Sequence, residues 1–181
     1  MKKVIRITLM VLVLAALCIT ECPVCNHIIH TKDCGIEEVY AEEQEEEQFA
    51  AWDIPLDEDL QIYIHDLCEE YDISYAMVIA MIDVESGFNA EAVSSTNDYG
   101  LMQINKVNHR DGMDYLNPYD NVRHGIKALH KLTKKYEEAD LVAMCWNCGE
   151  TGARKLWEQG IYSTEYSRKV AEKKMEYERN N

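Results

Sequence analysis

Ser74-Tyr75-Ala76-Met77-Val78-Ile79-Ala80-Met81-Ile82-Asp83-Val84-Glu85-Ser86-Gly87 is the stretch on which the reading of this chain turns. Ser74 has the side-chain oxygen that accepts from the free amides of a first helical turn. From Ala76 to Ile82 the residues are apolar on every face rather than on one stripe, the pattern of a helix buried at the centre of a domain. Gly87 is the residue type that ends a helix in the left-handed conformation. A carboxylate is out of place here. Burial disfavours the ionised form of Glu85, and the negative end of the helix dipole disfavours it again. Both effects raise its pKa, which is what a general acid working near neutral pH requires. From position alone, a surface glutamate at a frayed helix end is an equal reading.

Around this segment the apolar spacing predicts further helices. Leu60, Ile64, Leu67 and Cys68 recur at helical intervals between Asp57 and Tyr71. Asn117-Pro118 opens a longer helix, with Pro118 suited to the first helical position and Val122, Ile126, Leu129, Leu132 and Tyr136 on one face. Asp140 is placed to cap a fourth helix through Leu141–Trp146, and a last one begins near Ser163, carrying Tyr166, Val170 and Tyr177. No succession of alternating strands and no internal repeat is visible. The predicted class is mainly α: one compact multi-helix domain over residues 53–179, with Glu85 ending its buried central helix.

The rest of the chain is an appendage. Lys2, Lys3 and Arg6 precede an uncharged run from Ile7 to Cys18, the pattern of an export signal, and it is short for a membrane span of about 20 residues. Residues 1–21 are therefore expected to contact the membrane during export. A cleaved signal is favoured; Val39-Tyr40-Ala41 has the small-residue pattern of a cleavage site but lies far from the apolar run, so the site is not fixed and a retained anchor stays open. Residues 22–52 hold Cys22, Cys25, His27, His30 and Cys34, then the almost wholly Glu and Gln run from Ala41 to Gln48, which cannot bury apolar surface and reads as a linker. The Cys and His side chains are of zinc-ligand type. The segment is short and removable, and His65, His109, His124 and His130 follow no ligand spacing, so no metal is assigned. Net charge is -15, and eleven of the 33 acids fall between Glu37 and Asp59. An acidic chain without a basic stripe gains nothing from phosphate neutralisation, so nucleic acid is excluded as a partner. Seven cysteines, an odd count, argue against a disulfide framework.

Four motifs in order surround Glu85: Glu85-Ser86-Gly87-Phe88-Asn89, Tyr99-Gly100-Leu101-Met102-Gln103-Ile104-Asn105, Asn117-Pro118-Tyr119-Asp120-Asn121-Val122 with Gly125, and Ala143-Met144-Cys145-Trp146-Asn147-Cys148-Gly149. Together they resemble the successive motifs of the soluble lytic transglycosylase family, over about Ile54 to Val170. That family is similar in fold to goose-type lysozymes, so the resemblance implies an α+β, lysozyme-like domain. It also implies non-hydrolytic cleavage of the bond between N-acetylmuramic acid and N-acetylglucosamine in peptidoglycan, leaving 1,6-anhydro ends. Carried over residue by residue, Glu85 is the single acid and base, and Ser86, Tyr99, Met102, Gln103, Trp146, Asn147 and Tyr166 bind substrate. Met102 and Gln103 would line the glycan groove, and Asn147 matches the asparagine of the family's Tyr-Asn-Ala-Gly run. Trp146 stands where that run has tyrosine and Cys148 where it has alanine. An indole offers one N–H donor and no acceptor. The implied protein is an exported, wall-acting monomer that needs no cofactor.

Two rival functions stay open. Asp98, directly before Tyr99-Gly100, is similar in placement to the second carboxylate of chicken-type lysozymes, which would make the enzyme a muramidase using Glu85 and Asp98. An Asp between Asn97 and Tyr99 is also an ordinary turn residue. A non-catalytic wall-binding module is the second rival, disfavoured because a binder has no need of a buried acid. Taken singly, Met102, Trp146 and Tyr166 read as packing residues, whereas Gln103 within Leu-Met-Gln-Ile must find polar partners if buried.

Overall fold

The computed structural model describes residues 49–181 except Asp111. The apolar run, the Cys/His segment and the acidic linker lie outside the described residues. No helix among the described residues is long and apolar enough to cross a membrane.

Five helices and one small hairpin make up the domain: α1 (Glu58–Tyr71), α2 (Tyr75–Ser86), β1 (Asp98–Tyr99), β2 (Ile104–Asn105), α3 (Pro118–Thr133), α4 (Ala139–Trp157) and α5 (Glu165–Asn180). The central helix forms where its sequence places it. Ser74 caps α2 by accepting from the Met77 amide, and Gly87 ends it with φ 58°. Every residue from Ala76 to Ile82 is buried, with Val78, Ile79, Ala80, Met81 and Ile82 fully so. At about 25 cal/mol per Å² of apolar surface, each such aliphatic side chain contributes about 1.5 to 3 kcal/mol, and this burial rather than local propensity holds α2 in the middle.

The other helices wrap it. On α1, Leu60, Ile64, Leu67 and Cys68 turn inward as their spacing predicts. Asn117 caps α3 by accepting from the Tyr119 and Asp120 amides, and Val122, Gly125, Ile126 and Leu129 face the core. The expected cap at Asp140 is not formed. Helix α4 starts two residues earlier, with Glu138 at the capping position. The Asp140 carboxylate instead accepts from Ser167 Oγ at 2.6 Å, tying α4 to α5. Thr164 and Ser167 form a reciprocal capping box at the start of α5. Helix α5 straps onto α2, where Tyr177 OH donates to Asp83 Oδ2 at 2.9 Å and Lys173 Nζ lies 3.1 Å from the same oxygen.

The hairpin is antiparallel, pairing Asp98 with Asn105 and Tyr99 with Ile104. Two strand residues on each side cannot stand alone in water. Buried Asn121 on α3 fastens the loop: its amide donates to Tyr99 O at 2.8 Å and Tyr115 O at 2.9 Å, and its Oδ1 accepts from Met102 N at 2.8 Å. Upstream, Gln61 clamps Trp52, accepting from its amide at 2.8 Å and donating to its carbonyl at 3.1 Å.

Candidate active site

Three elements converge on Glu85. Helix α2 carries it in the last turn, α4 brings Trp146, and α5 brings Tyr166. Trp146 Nε1 donates to Glu85 Oε1 at 2.8 Å and Tyr166 OH donates to the same oxygen at 2.6 Å. Among the described residues Oε2 has no hydrogen-bond partner. Burial raises the pKa of Glu85 above the ordinary carboxylate range; the two donors pull it down, and the negative charge of Asp98 raises it further. Burial also raises the pKa of Tyr166, helped by the charge of Glu85. The phenol therefore stays a donor. The acid lies in a groove of about 620 Å³ whose walls include Asp98, Gln103, Asn105, Trp146 and Asn147. A second depression of about 800 Å³ is lined mainly by α2 and α5, with Val84 and Tyr166 among its residues, and Asn147 lines both.

Local backbone explains the placement of the α4 residues. Gly149, with φ 70° and ψ 158°, breaks the helix immediately after Cys148. That conformation is open to glycine and strained for other residues. The break leaves Trp146 and Asn147 in the last turn of the first half of α4, aimed at α2. Tyr166 is fixed through its neighbour Ser167, which is buried and bonded to Asp140.

Asp98 shares the groove with Glu85 but is heavily engaged. Ser94 Oγ donates to its Oδ2 at 2.6 Å, Thr96 Oγ1 donates to the same oxygen, and Asn105 Nδ2 donates to Oδ1 at 2.7 Å. Burial acts to raise its pKa, and the three donors outweigh burial and hold it below the usual carboxylate range. Asp98 therefore stays ionised and staples the hairpin.

Three of the expected substrate-binding residues lie away from the groove wall. Met102 is fully buried and does not line the groove. Its sulfur fills the space left by the missing side chain of Gly125, where an added Cβ would come within 2.2 Å of Sδ. Ser86 Oγ turns back to donate to Ile82 O at 3.1 Å, and Ser86 does not line the groove. Tyr99 packs edge-on against His109, ring centroids 5.0 Å apart, and it too is absent from the groove wall. Gln103 does line it. The Gln103 amide nitrogen donates to Gly100 O at 2.9 Å and Ala92 O at 3.2 Å, which turns the side-chain oxygen to the groove. Sequence reasoning missed Asn121 as the residue that holds the hairpin, although a lone Asn inside an apolar helix face is a readable signal. It also missed Arg110, His124 and Lys131, which line the groove. Among the described residues no three His, Cys, Asp or Glu side chains converge as metal ligands.

The model of the Transglycosylase SLT domain matches residues 62–168, more than half of the chain. The chain belongs to this family. The match contains every residue of the Glu85 constellation, from α1 through Tyr166 to the first turn of α5. Among solved structures, the SLT domain is similar to lytic transglycosylase Slt from Pseudomonas aeruginosa, an X-ray structure of an inactive mutant. The TM-score is 0.56 at 17% identity, over 66% of this chain and 24% of that one. At that identity the likeness establishes the fold, and the chain spans under a quarter of that protein's length. In this SLT domain the indole of Trp146 supplies the hydrogen bond to the acid, and Cys148 packs beside the helix break, its Sγ donating to Met144 O at 3.1 Å.

Proposed function

We propose that this chain is an exported lytic transglycosylase that cleaves peptidoglycan strands between N-acetylmuramic acid and N-acetylglucosamine without water, using Glu85 alone as acid and then base. The observation that carries the reading is the docking of Glu85 by one oxygen. With Oε1 accepting from both Trp146 and Tyr166, the proton of the neutral acid resides on Oε2 and is free to leave. In the first step Oε2 gives that proton to the glycosidic oxygen as the bond to the anomeric carbon breaks, assisted by the substrate's own acetamido oxygen. In the second step ionised Glu85 takes the proton of the muramic acid 6-hydroxyl, whose oxygen closes the 1,6-anhydro ring. The acid is regenerated and atoms balance. Raising the pKa keeps the acid protonated before the first step, and the two donors stabilise the carboxylate between the steps.

A strand running through the groove and the neighbouring depression would pass Glu85 at the α4 wall, with Asn147 touching both sides and Gln103 Oε1 offered to sugar hydroxyls or amides. Family membership supports a wall polymer as substrate and hence action outside the cytoplasm. Export by residues 1–21 and action as a monomer belong to the same proposal. The hydrolytic reading draws support from Asp98 facing the same groove, yet a carboxylate with three donors is poorly free to activate water or attack carbon. Mass spectrometry of fragments released from purified wall decides between them, because anhydro ends lack one water relative to reducing ends. Anhydro fragments from the wild type and none from Glu85→Gln are expected. Reducing ends would overturn the transglycosylase reading, and undiminished release by Glu85→Gln would overturn the role of Glu85.

A further inference from the structure

Positive charge is scarce in this chain, which has 18 basic against 33 acidic residues. Cations nonetheless collect at one end of the groove that holds Glu85. His124, Ala128 and Lys131 lie three and four residues apart along α3 and form one stripe on the groove wall, and Arg110 enters from the loop before α3. Lys135 continues the stripe but is neutralised by Glu150, Nζ to Oε2 2.9 Å. Lys131 makes no ion pair among the described residues. The arrangement is held from beneath by buried Tyr115. Its hydroxyl accepts from the Arg110 amide at 2.9 Å and meets His124 Nδ1 at 3.3 Å, and its ring stacks on His109 with centroids 3.6 Å apart. The local potential registers on His124, whose pKa is lowered by burial and then by the charges of Arg110, Lys131, His109 and Lys127.

We infer that Arg110, His124 and Lys131 form a subsite for a carboxylate carried by the glycan strand, so that the enzyme selects anionic strands over neutral N-acetylglucosamine polymers. The inference rests on the proposed peptidoglycan substrate. A sugar backbone is uncharged, and lining a sugar groove with unpaired cations in an acidic protein leaves charge that a neutral ligand cannot use. The muramic acid side of the polymer supplies the complement at two places: the carboxylates of the stem peptide, or the lactyl carboxylate exposed when that peptide is removed. Both would meet the same Arg and Lys, in a groove that concentrates the field.

Equilibrium titrations in the Glu85→Gln background, where no cleavage interferes, test this with three soluble ligands. These are peptide-bearing glycan oligomers, the same oligomers after amidase removal of the peptide, and neutral N-acetylglucosamine oligomers. Replacing both cations, Arg110→Ala with Lys131→Ala, should weaken binding of charged strands about 3- to 10-fold at low salt and leave the neutral oligomer unchanged. Loss confined to peptide-bearing strands assigns the stem-peptide carboxylates, loss confined to the amidase-treated strands assigns the lactyl carboxylate, and loss on both shows that the same cations take either. Lys134→Ala, which removes one positive charge outside the groove wall, should weaken none of the three ligands. Equal weakening of all three ligands, or no weakening of any, would overturn the subsite. If the wild type releases no anhydro fragments from wall while this charge selectivity persists, the proposed reaction fails and the subsite stands.

Discussion

Tyr166→Phe isolates the shorter of the two hydrogen bonds to Glu85 while keeping the ring. The phenol lies 2.6 Å from Oε1 and the indole 2.8 Å from the same atom. A hydrogen bond to a charged group is worth about 1.5 to 3 kcal/mol, and it favours the ionised carboxyl over the neutral one. Losing it should destabilise the carboxylate by about that amount, less whatever water recovers at this half-buried site. The alkaline limb of the kcat/KM profile, where Glu85 loses the proton it must donate, therefore moves to higher pH, because a donor that lowers the pKa has been removed. Activity at neutral pH should fall about 10- to 100-fold, since the acid also loses half of its positioning. The stability sign follows from linkage. Glu85 holds its proton more tightly in the folded state than in the unfolded chain, so stability falls as pH rises from the ordinary glutamate pKa of about 4.3 through the raised one. Tyr166→Phe widens that window. Its melting temperature should lie below wild type at pH 7 and approach it near pH 4. The assay is release of anhydro fragments across a pH series, with melting curves at the two pH values. An unmoved alkaline limb together with the same melting deficit at both pH values would refute the reasoning and reduce Tyr166 to packing.

Glu85→Gln should match or exceed the wild-type melting temperature at pH 7 while losing at least about 10²-fold in activity, because the amide oxygen still accepts from both donors and the cost of a half-buried charge is gone; a large drop in melting temperature would contradict the raised pKa. Asp98→Asn is expected to keep anhydro products forming and to shift the alkaline limb of activity to lower pH by removing a charge that raises the Glu85 pKa. It should cost about 1 kcal/mol in urea unfolding at pH 7. Because the depressed pKa of Asp98 adds stability only above the unfolded value of about 3.9, that difference should fade on acidification. Trp146→Phe, which removes the other donor, should move the alkaline limb in the same direction as Tyr166→Phe, with the double variant departing from additivity because both bonds end on one atom. Gly125→Ala should lower stability by about 1 to 3 kcal/mol despite alanine's better helix propensity, because its Cβ would meet Met102 Sδ at 2.2 Å; a variant as stable as wild type would mean that Met102 is free to move aside.

The legible parts of this protein are those set by local chemistry. The all-round apolar run from Ala76 to Ile82, the Ser74 and Asn117 caps and the terminating Gly87 are each decided within a few residues, and the structure follows them. Glu85 was legible for the same reason: a carboxylate against that background conflicts with its surroundings, and such conflicts mark functional sites. What the sequence hid depends on distant partners. Met102 taken singly reads as a packing residue, but nothing in Leu-Met-Gln-Ile shows that it packs into the space left by Gly125 on a helix further along the chain. Asp140 has the look of a cap and is drawn instead to Ser167 on another helix. His124 and Lys131 on α3 read as a solvated face until the loop carrying Arg110 folds over to make them one side of a groove.

The tryptophan at position 146 follows from the same docking geometry. A catalyst that is first acid and then base must be held equally well with and without its proton. If the proton sat on the oxygen that faces the protein, a docking partner would need to donate in one state and accept in the other, and a phenol can do both where an indole can do only the first. Here both partners donate to Oε1, and in the proposed reaction the proton comes and goes on Oε2 alone. Oε1 acts as acceptor in both states, as the carbonyl oxygen of the acid and as one oxygen of the carboxylate, so neither bond has to be broken or reversed during the reaction. A donor-only side chain is then sufficient at position 146, and the larger indole gains packing against the core that a phenol would forgo. The substitution changes the residue type that reaches the acid and leaves the proton path intact.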